Sequence, residues 1–249
     1  ALSLTTILND VGDIIFPPQC PACTALLNFP QIRGFCPSCR EQIRFINGGI
    51  CPICGIPFRA SPAENHICGN CLENMPFYTK ARAVADFETI ITDAIHNFKY
   101  KRNIYLGRVL GSFMADFSFP DFAVPEYSLF IPVPLHVKRL RERGFNQSLL
   151  LAEELAKKHK LPVNFSLLKR HKFTLTQTGL NKKEREKNIS GAFAVTDAKN
   201  LSGKSIILVD DVYTTGATIN ECARVLLEAG AQKVAVLTLA RVLQYSAPM

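Results

Sequence analysis

The chain has 249 residues, of which 47% are hydrophobic and 20% are charged, and its formal net charge at pH 7 is +8. This composition supplies ample material for a packed core and excludes an intrinsically disordered protein. No apolar run reaches the roughly 20 residues that a membrane-spanning helix needs, and the first residues lack the basic, apolar and small-residue order of a signal peptide. We therefore expect a cytoplasmic protein without membrane insertion.

The start of the chain carries a helical pattern followed by a cysteine-rich stretch. Apolar residues recur at helical spacing over residues 2–15, which predicts an amphipathic helix that Pro17 and Pro18 end. From Cys20 to Cys71 the sequence is rich in Pro, Gly and Asn and poor in periodic apolar runs. Such a stretch is typical of small knuckles and hairpins that a metal ion holds together.

Eight of the nine cysteines lie before residue 72 in four pairs, each spaced C-x-x-C, which is the spacing of metal ligands and not of a secreted disulfide framework. Four thiolates suit a structural Zn²⁺, so we predict two zinc sites, with an iron–sulfur cluster or a redox pair as alternatives. The pairs can combine in sequence order or crosswise. The predicted ligands are Cys20, Cys23, Cys36, Cys39, Cys51, Cys54, Cys68 and Cys71. Cys222 lies in a later helical pattern, where a buried small hydrophobe is expected.

A change in composition near residue 80 predicts two parts, a helix with two metal modules over residues 1–80 and a second domain over residues 81–249. Charge divides the chain in a similar way. Residues 1–80 contain five Lys/Arg and five Asp/Glu, whereas residues 95–190 contain eighteen Lys/Arg and eight Asp/Glu. A basic excess of this kind suits polyanionic ligands such as phosphate groups or nucleic acid.

Strands alternate with helices in the second part. The expected strands cover residues 82–87, 128–133, 205–209 and 233–239, and the expected helices cover residues 91–98, 105–117, 147–158 and 218–229. Residues 171–190 are polar and basic, which indicates a loop. The alternation predicts an α/β fold, a parallel sheet flanked by helices, with ligands at the carboxyl ends of the strands.

The segment over residues 206–218 reads as a buried strand, two acids and a small hydroxylic loop that opens a helix. The backbone N–H groups of such a loop can hold a phosphate, and Gly216 lets the backbone approach it closely. The adjacent carboxylates of Asp210 and Asp211 can accept hydrogen bonds from a vicinal diol and favour a nearby Mg²⁺. An ordinary strand-to-helix turn capped by Asp and Thr is the alternative.

The complete segment resembles the phosphoribosyl diphosphate motif of type I phosphoribosyltransferases. This resemblance implies the type I phosphoribosyltransferase fold and a site for phosphoribosyl diphosphate with Mg²⁺. It also implies that Asp210 and Asp211 are catalytic. The implied substrate contacts in this segment are Val212, Tyr213, Thr214, Thr215, Gly216, Ala217 and Thr218.

Two further segments resemble loops of the same family. Pro134, Arg139, Arg143 and Gly144 lie in a segment like the family's diphosphate loop, where a strand leads through a tight turn to a helix start. Arginines suit a diphosphate, although by themselves they would indicate a solvated basic turn. Residues 176–188, with Gln177 in substrate binding and Arg185 in catalysis, resemble the flexible loop of amidophosphoribosyltransferases, which closes over the substrate.

The double cysteine module followed by these motifs resembles the ComF family of competence-associated proteins over nearly the whole chain. The resemblance implies a part in natural transformation, with single-stranded DNA and competence proteins as partners. No segment indicates a nucleobase pocket, so two functions stay open: a phosphoribosyltransferase, or a non-catalytic DNA or partner-binding module whose pocket senses a ligand. Phe98, Tyr100 and Phe145 lie near basic clusters and can stack on bases or belong to the core.

Overall fold

The computed structural model describes residues 19–27, 34–58, 65–100, 103–172 and 188–243. The predicted N-terminal helix over residues 2–15 lies outside these residues, as does most of the predicted loop over residues 171–190. In the described part, the strands are β1 (Lys80–Asp86), β2 (Leu129–Pro132), β3 (Leu168–Arg170), β4 (Phe193–Val195), β5 (Ser205–Tyr213) and β6 (Lys233–Arg241). The helices are α1 (Pro37–Glu41), α2 (Gly69–Glu73), α3 (Thr89–Tyr100), α4 (Ile104–Asp116), α5 (Val137–Arg143), α6 (Gln147–His159) and α7 (Ala217–Glu228).

Four parallel strands form the central sheet in the order β1-β6-β5-β2. Val163 adds a parallel bridge to Phe130 at the outer edge of β2. Strands β3 and β4 form a separate antiparallel pair. The predicted α/β fold with a parallel sheet is therefore confirmed, and every strand and helix expected between residues 82 and 239 is present with its ends shifted.

The central strands are buried on both faces because their apolar side chains alternate between two cores. Ile207 and Val209 of β5 point into the core that contains α3, α4 and α6, whereas Ile206 and Leu208 point into the core that contains α7. The expectation for Cys222 is confirmed, since it is fully buried in this second core.

Three local features differ from the sequence-based expectations. Strand β5 continues through both acids to Tyr213, because Asp210 and Val212 stay in register with β6. The segment after Pro134, expected as a tight turn, contains the short helix α5. The pair β3–β4 was not predicted, since three residues are too few to show an alternation.

The cysteine modules pack against the sheet and do not stand apart from it. Residues 44–46 lie along the outer edge of β1, where the Ile46 N–H donates to the Val84 carbonyl at 3.0 Å. Phe35 meets Phe113 of α4 edge to face, with ring centroids 5.0 Å apart. An exposed sheet edge invites pairing with other chains, so this packing protects β1. The boundary near residue 80 stays a prediction.

Candidate functional site

The eight cysteines form two clusters, each of consecutive pairs. Within each cluster the ligand atoms all lie within 4.8 Å of one another. The first cluster contains Cys20, Cys23, Cys36 and Cys39, and the second cluster contains Cys51, Cys54, Cys68 and Cys71. This arrangement corresponds to pairing in sequence order and not to crossed pairing. Four converging thiols suit a tetrahedral ion such as Zn²⁺.

The thiols of the first cluster differ in how readily they become thiolates. The Ser38 hydroxyl and the backbone N–H of Cys39 lower the pKa of Cys36 to about 6. Burial raises the pKa of Cys39. A metal ion that binds here must therefore displace a proton from Cys39, so metal binding is coupled to proton release.

A cavity of about 420 Å³ opens where the carboxyl ends of β1, β2 and β5 meet, and we call it the β5 cavity. It is lined by Phe87 after β1, by Val133 and Pro134 after β2, and by residues of β5 and the following loop. Carboxyl ends of parallel strands are the usual place for ligands in α/β sheets. The fold thus places the predicted motif in a cavity of ordinary ligand-site size.

Two carboxylates lie at the floor of the β5 cavity, each with a partner from a distant helix. The Ser148 hydroxyl, at the start of α6, donates to Asp210 Oδ1 at 2.8 Å. Lys99, near the end of α3, forms an ion pair with Asp211 at 2.5 Å. The backbone N–H of Asp211 also donates to Asp210 Oδ1 at 2.9 Å. These contacts fix the orientation of both acids before any ligand binds.

Asp210 is electrostatically different from its neighbour. Burial and the adjacent Asp211 carboxylate raise the pKa of Asp210 to about 7, from a usual value of about 4. The folded protein therefore keeps this proton when the unfolded chain has lost it. Between about pH 4 and about pH 7, Asp210 makes the folded state progressively less stable relative to the unfolded state.

We accordingly expect Asp210→Asn to stabilise the free protein in magnesium-free buffer, by an amount that grows as pH rises from about 4 to about 7. Asp211→Asn is the matched control, because it removes the same charge but also removes the carboxylate that pairs with Lys99. Thermal unfolding across this pH range measures the difference. A stability difference between Asp210→Asn and the parent that does not vary with pH would contradict the raised pKa.

The loop after β5 is built to receive an anion. Gly216 is the N-terminal cap of α7 with φ of +80°, and it has no side chain of its own to cap the helix. A Cβ atom at Gly216 would lie 2.2 Å from the Tyr213 hydroxyl, so only glycine fits this close approach. The Ala217 N–H at the start of the 12-residue helix α7 donates to Thr215 Oγ1 at 3.5 Å, and the helix dipole favours a phosphate at this end.

Basic side chains form the wall opposite the acids. Arg139 and Arg143 project from successive turns of α5 and line the β5 cavity together with Arg170 of β3. Burial, followed by the charge of Arg139, lowers the pKa of Arg170. The cavity therefore combines two acids, three guanidinium groups and the N-terminus of α7.

The structure brings most of the predicted site residues together. The β5 cavity is lined by Pro134, Arg139, Arg143, Asp210, Asp211, Val212, Thr214, Gly216 and Thr218. Tyr213, Thr215 and Ala217 instead line a second cavity of about 320 Å³ behind the loop. Gly144 caps the end of α5 with φ of +84° and does not line the β5 cavity. Gln177 and Arg185 lie outside the described residues, so their predicted roles stay predictions.

Several residues of the site could not be found from the sequence. Lys99 and His96 come from α3, and Ser148 comes from α6. No motif marks them, because they meet the acids only after α3 and α6 pack on the sheet. The one sequence signal for Lys99 is its position near the end of an amphipathic helix. Basic residues are common at helix C-termini, so this signal does not indicate a functional site.

The three aromatic residues near the basic clusters are separated by their burial. Phe98 and Phe145 stack on each other in the core with centroids 5.3 Å apart. Tyr100 is 72% exposed at the mouth of the β5 cavity, with His96 edge-on at 5.9 Å. Of the three, only Tyr100 has a ring face available to a ligand.

Family comparisons agree with this geometry. Residues 11–72 match the double zinc ribbon domain, and residues 146–248 match the phosphoribosyl transferase domain. The fold and site thus define a protein with a zinc ribbon module and a type I phosphoribosyltransferase fold. Among solved structures, glutamine phosphoribosylpyrophosphate amidotransferase of Bacillus subtilis, complexed with ADP and GMP, is similar with a TM-score of 0.37 and 18% identity, over 69% of this chain and 30% of its own.

Three curated relatives match along most of their length. Competence protein F of Haemophilus influenzae is 31% identical and covers 87% of this chain and 100% of its own. Competence protein ComFC of Bacillus subtilis is 32% identical and covers 83% of each chain. DNA utilization protein YhgH of Escherichia coli is 31% identical and covers 84% of this chain and 91% of its own. The chain belongs to the ComF family.

None of the helices in the described ranges is both long enough and apolar enough to span a bilayer.

Proposed function

We propose that this chain acts in natural transformation in the cytoplasm and binds phosphoribosyl diphosphate with Mg²⁺ in the β5 cavity. One observation carries the proposal: two acids, the N-terminus of α7 and the arginines of α5 all line one cavity. Each of these groups suits one part of the ligand. Membership of the ComF family, with relatives named as competence proteins, supports the biological setting.

Each group in the β5 cavity has a chemistry that suits a different part of phosphoribosyl diphosphate. The N-terminus of α7 after Gly216 suits the 5′-phosphate, since the helix dipole favours an anion at this end. Asp210 and Asp211 suit the ribose diol, while Arg139 and Arg143 suit the diphosphate through paired charge-assisted hydrogen bonds. Mg²⁺, when bound, neutralises negative charge on the diphosphate and makes it a better leaving group.

Phosphoribosyl transfer is the reaction that this arrangement would serve. An acceptor nitrogen would form a bond to C1 of the ribose as the bond from C1 to the diphosphate oxygen breaks, and the diphosphate would leave with the bonding electrons. Lys99 and Ser148 would keep the acids in place during this step. The proposed catalytic part of Arg185 rests on the resemblance alone.

The two cysteine clusters are proposed to hold two structural Zn²⁺ ions. Their four converging thiols and the match to a double zinc ribbon support this assignment over iron–sulfur clusters. Cys20, Cys51 and Cys71 are buried, whereas Cys23 of the first cluster is exposed. Sites in which four cysteines fill the tetrahedral coordination of Zn²⁺ are structural.

Calorimetry of the full chain with phosphoribosyl diphosphate and Mg²⁺ tests the binding proposal. A panel of nucleobases and amines, followed by detection of released diphosphate, tests turnover separately. Binding with acceptor-dependent diphosphate release would establish an enzyme. Binding without release for any acceptor would favour a ligand sensor, and absence of binding would refute the proposed ligand.

A second candidate function is a non-catalytic module that captures the end of a single-stranded DNA while the zinc ribbons recruit partners of the competence pathway. Tyr100 favours this function. This ring lies at the cavity mouth within a basic region, where a terminal base can stack while its phosphate meets the arginines. Tyr100→Ala is expected to weaken binding of a short 5′-phosphorylated oligonucleotide more than binding of phosphoribosyl diphosphate. Equal effects on both ligands would contradict a base-stacking role.

The arginines of α5 provide a further prediction about DNA. Arg139→Ala/Arg143→Ala is expected to lower the salt dependence of single-stranded DNA binding by about 1.4 in log–log slope, since each phosphate contact contributes about 0.7. Lys138→Ala/Arg141→Ala removes the same charge from the same helix but from residues that do not line the β5 cavity. Filter binding at several salt concentrations measures both slopes.

Comparison of the two double variants distinguishes a DNA-binding surface on α5 from a diphosphate site. If DNA runs along α5, both variants lose affinity for DNA, while only the Arg139/Arg143 variant loses phosphoribosyl diphosphate binding. An unchanged affinity and slope in the Arg139/Arg143 variant would exclude these arginines from the DNA surface. They would then remain candidates for the diphosphate site alone.

A further inference from the structure

The second cysteine cluster contacts Arg241, which packs against the loop over residues 214–218 through Tyr213. We call this loop the phosphate loop. Arg241, at the end of β6, donates a hydrogen bond to the carbonyl oxygen of Cys54. The same guanidinium lies over the ring of Tyr213, 4.0 Å from its centroid. Both side chains are buried, so water does not loosen this contact. One side chain therefore joins a metal ligand to the end of β5.

Tyr213 in turn supports the loop that precedes α7. Its hydroxyl lies directly against the backbone of Gly216, where an added Cβ would be 2.2 Å away. The hydroxyl is also 2.7 Å from the Tyr78 hydroxyl. Next to this pair, Asn220 of α7 accepts a hydrogen bond from the Phe77 N–H at 2.7 Å. The position of the loop thus depends on side chains packed between the second cluster and α7.

Arg241 is a buried cation whose charge needs compensation. In the described part of the chain no ion pair joins it to a carboxylate, and its Nε has no hydrogen-bond partner there. An isolated buried charge is costly. Four thiolates around one Zn²⁺ carry a net negative charge, so a metal-loaded second cluster supplies counter-charge beside Cys54. This charge adds to that of the buried Asp86, which lies opposite Arg241 in the register of β1 and β6.

The first cluster is connected differently. Its backbone carbonyls at Pro21 and Ala22 accept hydrogen bonds from Asn97 of α3, at 2.9 and 3.0 Å. Its aromatic neighbour Phe35 packs on α4. These contacts lie on the face of the sheet opposite α7. The two clusters therefore differ in their access to the phosphate loop.

The geometry points to Arg241 and Tyr213 as positioning residues that couple metal binding at the second cluster to phosphate binding by the loop over residues 214–218. The coupling rests on the proposed function, because it requires that this loop bind a phosphate. Metal in the second cluster holds Arg241 in place, Arg241 holds Tyr213, and Tyr213 holds Gly216 under the phosphate. Coupling between two binding sites is reciprocal, so a bound phosphate must also retain the metal.

Metal release from the full-length protein tests this coupling without an activity assay. A chromogenic chelator is added with and without saturating ribose 5-phosphate, which occupies the phosphate loop and does not itself carry a metal-chelating diphosphate. We expect two release phases, of which ribose 5-phosphate slows one by at least about fivefold. In Cys36→Ser, which disrupts the first cluster, the slowed phase should be the one that remains.

Variants of Arg241 and Tyr213 test whether the coupling passes through these two side chains. Arg241→Gln should keep both metal ions but lose the slowing, and Arg241→Lys, which keeps the charge, should restore part of it. If Arg241→Gln does not fold, Tyr213→Phe serves instead, because it keeps the ring below Arg241 and removes only the hydroxyl against Gly216. Loss of the slowing in Tyr213→Phe would support the same route.

Three outcomes would overturn the coupling. Slowing of both phases, slowing of neither phase in a protein that binds ribose 5-phosphate, or full slowing in a folded Tyr213→Phe variant would each contradict it. Calorimetry with ribose 5-phosphate on the parent protein is run alongside. A parent protein that does not bind ribose 5-phosphate would refute the proposed phosphate site itself, which keeps the two failures distinct.

Discussion

Asp210→Asn/Asp211→Asn is expected to weaken the binding of phosphoribosyl diphosphate with Mg²⁺ by at least about tenfold. Hydrogen bonds to charged groups contribute roughly 1.5 to 3 kcal/mol each, and a loss of 1.4 kcal/mol already corresponds to tenfold in affinity. Asparagine keeps the volume of both side chains and can still accept a hydrogen bond from Ser148. The fold should therefore survive, and calorimetry measures the change in affinity.

The single variants add a distinction that the sequence does not offer. Asp211 is paired with Lys99, so Asp211→Asn leaves a cation at the edge of the cavity, which can attract the diphosphate and offset part of the loss. Asp210→Asn leaves that ion pair intact. We expect the loss of affinity to be larger for Asp210→Asn than for Asp211→Asn.

A control variant separates the local effect from a change in net charge. Asp93→Asn/Asp116→Asn removes two carboxylates that are exposed and do not line the β5 cavity. This variant should bind the ligand within about twofold of the parent, because salt screens the interactions of exposed charges. A double variant of Asp210 and Asp211 that binds as tightly as the parent would refute the assigned site.

Removal of metal is expected to unfold the cysteine modules while the central sheet stays folded. In its described residues each module has a five-residue helix, α1 or α2, and short bridges, and small modules of this kind draw much of their folding free energy from the metal. Loss of the first module would also expose the ring of Phe113 on α4, which now packs against Phe35. Chelation should therefore lower thermal stability and promote aggregation.

Hydrogen exchange after chelation reports both parts of the molecule. The Cys51 N–H, which donates to the Ile56 carbonyl at 2.9 Å, should exchange rapidly, whereas amides of β5 and β6 should stay protected. Elemental analysis of the untreated protein should find about two zinc ions per chain. Iron in place of zinc, or unchanged exchange in the modules after chelation, would contradict structural zinc sites.

The sequence by itself determined the α/β fold class, because buried strands such as β5 and β6 contain continuous apolar runs, at residues 206–209 and 234–237. It also located the eight cysteines of the two clusters and the acids of the motif, since these signals are local. Spacing between neighbouring residues is visible in a sequence without knowledge of packing. For the same reason, Gly216 could be assigned to a close backbone approach, which its φ of +80° now explains.

Only the tertiary structure decided which distant groups meet. Sequence-order pairing of the cysteines was open, because both pairings use the same ligands at similar spacing. Lys99 and Ser148 reach the acids because α3 and α6 pack on one face of the sheet. The contact from Cys54 through Arg241 to Tyr213 spans the chain from residue 54 to residue 241. Such contacts leave no local pattern, since they depend on the relative placement of elements that the chain order does not fix.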